Sequence, residues 1–188
     1  MTTPRPRRCE ICNDGLYGDE DIDILIKRIC MPSLSPGTAG AKEAYGIVII
    51  GNDACINIPP DALKRYGIEQ NSLVLLTSTR KGESGFAIIN SIKAQKTVFN
   101  KILKEISQMS GILNKNGRYY VITNIQNGKI FLNPEMMAAF NLKTGDKLLV
   151  IKSTTVAMSL SLVDTWKKKF KEYGLTEAIT NIDHLEIY

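Results

Sequence analysis

Two stretches of the chain carry the same pattern of apolar and polar positions. Residues 54–76, ACINIPPDALKRYGIEQNSLVLL, and residues 128–150, GKIFLNPEMMAAFNLKTGDKLLV, match without a gap at an offset of 74 positions. Ile56 then falls on Ile130, Ile58 on Leu132, Pro60 on Pro134, Asp61 on Glu135 and Leu63 on Met137. Tyr66 falls on Phe140, Ile68 on Leu142, and Leu75-Leu76 on Leu149-Val150. The match runs outward to Ile47-Val48 against Val121-Ile122, and to Phe86-Ala87-Ile88 against Leu160-Ser161-Leu162. An internal repeat sets the organisation of a chain before any single element is assigned.

Each copy predicts the same order of elements. Residues 55–58 alternate their side chains as a half-buried strand does. A proline ends the strand, and an acidic residue after it suits the first turn of a helix. The helical stretches DALKRYGI and EMMAAFNL gather Leu63, Tyr66 and their counterparts on one face. Gly67 and Asn141 stop the helices, since both residue types tolerate a left-handed φ. A polar turn and a second strand, residues 73–77 or 147–151, complete the unit.

This order of strand, proline, short helix, glycine, turn and strand resembles the AbrB/SpoVT domain, the swapped-hairpin barrel. The family pattern is a Gly-basic pair, apolar residues, Pro, a short helix, Gly-Ile, then Gly-Asp and an apolar strand. The first copy keeps Ile58-Pro59 and Gly67-Ile68, with Ala54-Cys55 and Asn71-Ser72 at the other landmarks. The second keeps Gly128-Lys129 and Gly145-Asp146, with Leu132-Asn133 and Asn141-Leu142 elsewhere. The resemblance implies an α+β, mainly β fold: one pseudo-symmetric, closed swapped-hairpin barrel built from two internal repeats. The expected organisation is an N-terminal segment at 1–44, repeat one at 45–90, a linking helix at 91–118, repeat two at 119–163 and a C-terminal helix and tail at 164–188.

Outside the copies the pattern changes. Cys9-Glu10-Ile11-Cys12 is followed by Asn13-Asp14-Gly15, a turn able to wrap a metal. A tetrahedral zinc wants four ligands, and Cys30 is the best third by sequence. Zinc binding by Cys9, Cys12 and Cys30, and reduced or redox-active thiols, both stay open. Ile22, Leu25, Ile26 and Ile29 recur at helical spacing before Pro32, and residues 33–42 read as a linker. Between the copies, Val98, Phe99, Ile102, Leu103, Ile106 and Met109 form one apolar stripe. That predicts an amphipathic helix over residues 92–113, packed on the barrel rather than serving as a dimer seam, because the stripe falls short of three heptads. After the second copy, residues 164–173 read as a helix ended by Gly174, with Trp166, Phe170 and Tyr173 on one face and Lys167, Lys168, Lys169 and Lys171 on the others. The acidic tail then offers Ile182, Leu185 and Ile187 for docking, and its His184 reads as a surface residue.

Composition narrows the function classes. The chain has 188 residues, 44% hydrophobic and 23% charged, so it can bury a core. No apolar run approaches a membrane span and MTTPRPRR lacks a signal peptide's apolar stretch, which predicts a cytoplasmic protein. A net charge of +5 suits an acidic partner such as duplex DNA. No phosphate-cradling glycine loop and no Ser/His/Asp order occurs, so a non-enzyme is expected. Members of the resembling family are mostly DNA-binding regulators that act as dimers, with basic residues around the strand and short helix. Carried over position by position, that implies contacts by Lys64 and Lys129, with Arg65 adjoining. The lysine-rich helix adds Lys167, Lys168 and Lys169 as further candidates. The other expectation is a protein-interaction barrel that has lost DNA binding, with a sensor built on the N-terminal cysteines as a third.

Overall fold

The alternation at residues 55–58 and the proline that ends it recur in a computed structural model, which describes residues 7–8, 15–16, 32–33, 42–79, 83–154, 156–172, 174 and 176–188. The first copy runs β1 (Lys42–Ile49), β2 (Cys55–Asn57), α1 (Pro60–Tyr66), β3 (Ser72–Ser78) and β4 (Gly85–Asn90). Two short helices follow, α2 (Ser91–Ala94) and α3 (Asn100–Ser107), then strand β5 (Leu113–Lys115). The second copy runs β6 (Arg118–Ile125), β7 (Lys129–Phe131), α4 (Pro134–Ala139), β8 (Lys147–Lys152) and β9 (Ala157–Leu162). Helices α5 (Val163–Glu172) and α6 (Thr176–Asp183) end the chain.

The short helices start and stop as their sequences require. Each has a proline at its first position, where the missing N–H costs nothing, and an acid in its first turn, Asp61 or Glu135. Asn133 caps α4 by accepting from the Met136 N–H at 2.9 Å. Gly67 at φ 62° and Asn141 at φ 52° follow the last turns in the left-handed conformation. The amides beyond them reach back to the helix, Ile68 to the Leu63 carbonyl and Leu142 to the Met137 carbonyl, both at 2.9 Å.

The fold is mixed α/β and mainly strands. Seven strands form an antiparallel sheet in the order β1-β8-β9-β4-β3-β6-β5, to which Pro32–Ser33 adds in parallel at the β1 edge. β2 and β7 form a separate antiparallel pair, Ile56 opposite Ile130. The strands of one copy pair with those of the other: β1 with β8, β3 with β6, β4 with β9 and β2 with β7. One core joins them, taking Val48, Ile56, Tyr66 and Phe86 from the first copy and Val121, Ile130, Phe140 and Leu160 from the second. Phe86 and Phe140 stack across it with ring centroids 5.0 Å apart. On the sheet's other face, α5 and α6 cover Leu149 and Ile151, while α3 covers Leu75 and Ile89.

The sheet does not close into the expected barrel. It has two edges, and the chain itself occupies both. On β1 the tail adds a parallel bridge: the Ile47 N–H donates to the Glu186 carbonyl and the Tyr188 N–H to the Ile47 carbonyl, both at 2.8 Å. On β6 the hairpin strand β5 pairs residues 118–120.

Two further expectations change. Val48 and Val121 share the inner core while Ile47 faces α5, so β1 is one residue out of the gapless register. Leu148 pairs Val48 where its counterpart Val74 pairs Thr123, so the first copy uses one residue more than the second between this strand and the ribbon. A bulge upstream, where Val150 pairs Gly46 but Ile151 pairs Ala44, shifts the register by one residue more. The long linking helix is broken in two. Thr97 turns back on α2, its hydroxyl donating to the Ala94 carbonyl at 2.8 Å, and Val98 is 83% exposed. Ile102 and Ile106 of the stripe are buried, whereas Met109 is exposed.

Candidate nucleic-acid interface

The β2–β7 pair is held at both ends by matching backbone bonds. The Ile58 N–H donates to the Gly128 carbonyl at 2.9 Å, and the Leu132 N–H to the Ala54 carbonyl at 2.8 Å. Both accepting residues turn with positive φ, 75° at Gly128 and 57° at Ala54. Ala54 thus adopts a conformation that glycine takes at no steric cost. Because side chains alternate, Ile56 and Ile130 point into the core and Cys55, Asn57, Lys129 and Phe131 share the outer face. Lys129 lies opposite Asn57 and Phe131 opposite Cys55, with Phe131 56% exposed.

Helix α1 adjoins the start of β7, Leu63 lying 3.8 Å from where a Cβ on Gly128 would stand. Lys64 and Arg65 occupy its exposed last turn, where cations also complement the helix dipole. The structure therefore places Lys64, Arg65 and Lys129 on adjoining elements. The corresponding turn of α4 carries Ala138 and Ala139, so the two copies differ in charge.

Lys167, Lys168 and Lys169 do not join that group. They belong to α5, which packs against Leu149 and Ile151 on the far face of the sheet. Two of them are engaged within the chain. Lys167 pairs with Asp183, and Lys169 pairs with Glu83 at 3.1 Å while its ammonium sits 5.5 Å from the Trp166 ring centre. Lys168 is exposed.

Cys55 is the ribbon's free thiol. Its backbone N–H donates to the Asp53 carboxylate at 3.1 Å. Burial pushes the thiol above its ordinary value, the Asp53 charge pushes the same way, and Lys129 opposes both. The proposed ligands Cys9, Cys12 and Cys30, like the helix expected before Pro32, lie outside the described residues. Among the described residues no group of three or more His, Cys, Asp or Glu side chains stands together as a metal site. His184 is exposed, with Nδ1 at 2.8 Å from the Thr180 carbonyl.

A groove of about 710 Å³ runs beside the ribbon, lined by Cys55, Lys129, Phe131, Asn124, Gln126 and Asn133 among others. The polar residues Asn57, Asn124 and Gln126, together with Phe131, were not read as site residues. The alternation in Lys129-Ile130-Phe131 would have put Phe131 on the lysine's face.

Compared with known proteins, the chain matches no protein-family model, no curated protein and no solved structure. Among the described residues no helix is long and apolar enough to cross a membrane.

Proposed function

We propose that the chain is a non-enzymatic DNA-binding regulator of the AbrB/SpoVT type, acting in the cytoplasm as a homodimer. The observation that supports this reading is the reciprocal exchange of strands between the copies, β1 with β8 and β6 with β3. That exchange is what a pseudo-symmetric swapped-hairpin arrangement requires, each copy lending strands to the other around one core. The β2–β7 ribbon and its two short helices then form the outward surface. Lys64, Arg65 and Lys129 supply its cations, directed at phosphates rather than at base edges.

A second reading is favoured by Phe131. An aromatic ring 56% exposed opposite Cys55, on a ribbon face with one lysine, suits a protein partner as well as a nucleic acid. Gel shifts on random duplex DNA across a salt titration separate the two. Lys64→Ala with Arg65→Ala should weaken binding on every sequence and flatten the salt slope by about 2 units for each chain bound. A double variant that binds as the parent does removes the site. A parent that fails to bind at low salt removes the regulator reading and leaves the protein-interaction reading.

A further inference from the structure

On the outer face of the sheet, the helices stop short of each other. α5 and α6 cover the β8 side, α3 covers the β3 side, and between them lies a cavity of about 320 Å³. This is at the lower end of the range for small-molecule pockets. The hydrophobic effect would fill such a gap with large apolar side chains, as the same strands do on their inner face with Leu76, Phe86 and Leu160. Here nine of the seventeen described lining residues are instead serine or threonine.

The buried hydroxyls are the stronger observation. Thr77 and Ser161 are the two buried polar residues among those described, 6% and 9% exposed, and both line this cavity. Their hydrogen bonds are at the limit of length. Thr77 Oγ1 reaches the neighbouring Ser78 carbonyl at 3.4 Å, and Ser161 Oγ stands 3.4 Å from Ser159 Oγ. Good hydroxyl bonds are about 2.7–2.8 Å, so both groups keep capacity for a guest.

Charge selects the guest. Lys169 is offset by its partner Glu83, but Arg118, exposed on the cavity wall, makes no ion pair among the described residues. The net charge of the described lining residues is therefore positive. An arginine beside a bank of hydroxyls matches an anionic group attached to a polyol.

We propose that this cavity binds a small polyhydroxylated anion, a sugar phosphate or a sugar acid, with Arg118 on the anionic group and Thr77, Ser159 and Ser161 on its hydroxyls. The site is independent of the DNA reading, because it lies on the opposite face of the sheet from the β2–β7 ribbon. Trp166, the chain's single tryptophan, lines it and reports occupancy by fluorescence. The full chain is titrated with ribose 5-phosphate, gluconate, neutral ribose and inorganic phosphate at constant ionic strength.

A saturable Trp166 response to ribose 5-phosphate or gluconate is expected, and the tighter of the two identifies the anionic group. Arg118→Gln should weaken that response about tenfold or more while leaving the response to ribose unchanged. Ser159→Leu should abolish all of them with the far-UV circular dichroism retained; if that variant does not fold, Arg118→Gln decides. The proposal is overturned by no saturable response at about 10 mM, by equal responses in parent and Arg118→Gln, by a folded Ser159→Leu that responds like the parent, or by inorganic phosphate binding as tightly as ribose 5-phosphate.

Discussion

Gly85→Ala tests the join between the two copies. Gly85 opens β4 opposite Ser161 of β9, and its N–H donates to the Phe140 carbonyl at 2.9 Å, tying the end of α4 to the sheet. Its φ is +127°, and an added Cβ would stand 2.2 Å from the Leu160 carbonyl oxygen and 3.0 Å from the Ser161 Cα. Both obstacles are backbone, so no side chain can swing aside. Holding a non-glycine residue at such a φ costs about 1–3 kcal/mol, and forcing extra volume into a packed site costs about 1–3 kcal/mol more. The middle of the combined range is about 4 kcal/mol, which for a chain of this size lowers the melting temperature by roughly 8–16 °C. Gly145→Ala is the control. Its φ of +85° is also left-handed, yet an added Cβ there meets nothing within 4 Å, so only the conformational cost applies. Paired urea and thermal unfolding of the two variants and the parent measures the difference. A Gly85→Ala protein as stable as Gly145→Ala would refute the reasoning, since the close approach of β4 and β9 would then carry no energy.

Removing residues 186–188 deletes both backbone bonds to Ile47 and should cost about 1–3 kcal/mol. Hydrogen exchange at the Ile47 amide should accelerate, and unchanged exchange there would contradict the tail's role as an edge strand. Cys55 should react with iodoacetamide more slowly than an unstructured thiol at mildly alkaline pH, because its raised pKa leaves less thiolate. Asp53→Asn should speed that reaction and Lys129→Gln slow it, as read by peptide mapping of the alkylated chain. The same shift means that stability is fully present below the thiol's ordinary pKa and declines as the pH rises through the higher folded value.

Much of the fold was legible because the repeated units signal themselves locally. A strand ended by proline, a helix closed by Gly67 or Asn141 and a paired apolar face at Leu63 and Tyr66 depend on near neighbours. What stayed hidden depends on distant ones. Neither Ile47 nor Ile187 advertises that the tail pairs with β1. The break after α2 comes at Thr97, whose hydroxyl and amide both return to the Ala94 carbonyl inside an otherwise apolar stripe. The β5–β6 hairpin was within reach: Asn116 and Gly117, at φ 54° and 76°, form an Asn-Gly turn between apolar runs. Of the candidate site, Lys64, Arg65 and Lys129 came from the resemblance, and the structure sets them on adjoining elements. Lys167 and Lys169 could not be discounted from sequence, since their partners Asp183 and Glu83 lie 16 and 86 residues away.

The unequal charge of the two copies makes the salt dependence of DNA binding a count of chains. On the proposed reading one chain offers three cations, Lys64, Arg65 and Lys129, because α4 carries Ala138 and Ala139 where α1 carries its basic pair. Each phosphate neutralised contributes a slope of about −0.9, so a single chain gives about −2.7 and loses roughly 40-fold in affinity between 50 and 200 mM salt. Two chains on one duplex give about −5.4 and lose roughly 2,000-fold over the same range. The two cases differ far beyond the error of a gel shift. A two-fold pair of such faces also restores what one chain lacks, a symmetric surface for a palindromic site. A slope near −2.7 that Lys64→Ala with Arg65→Ala reduces by about 2 would mean one chain per site and remove the homodimer from the proposal. A slope near −5.4 that the same double variant reduces by about 4 would keep it.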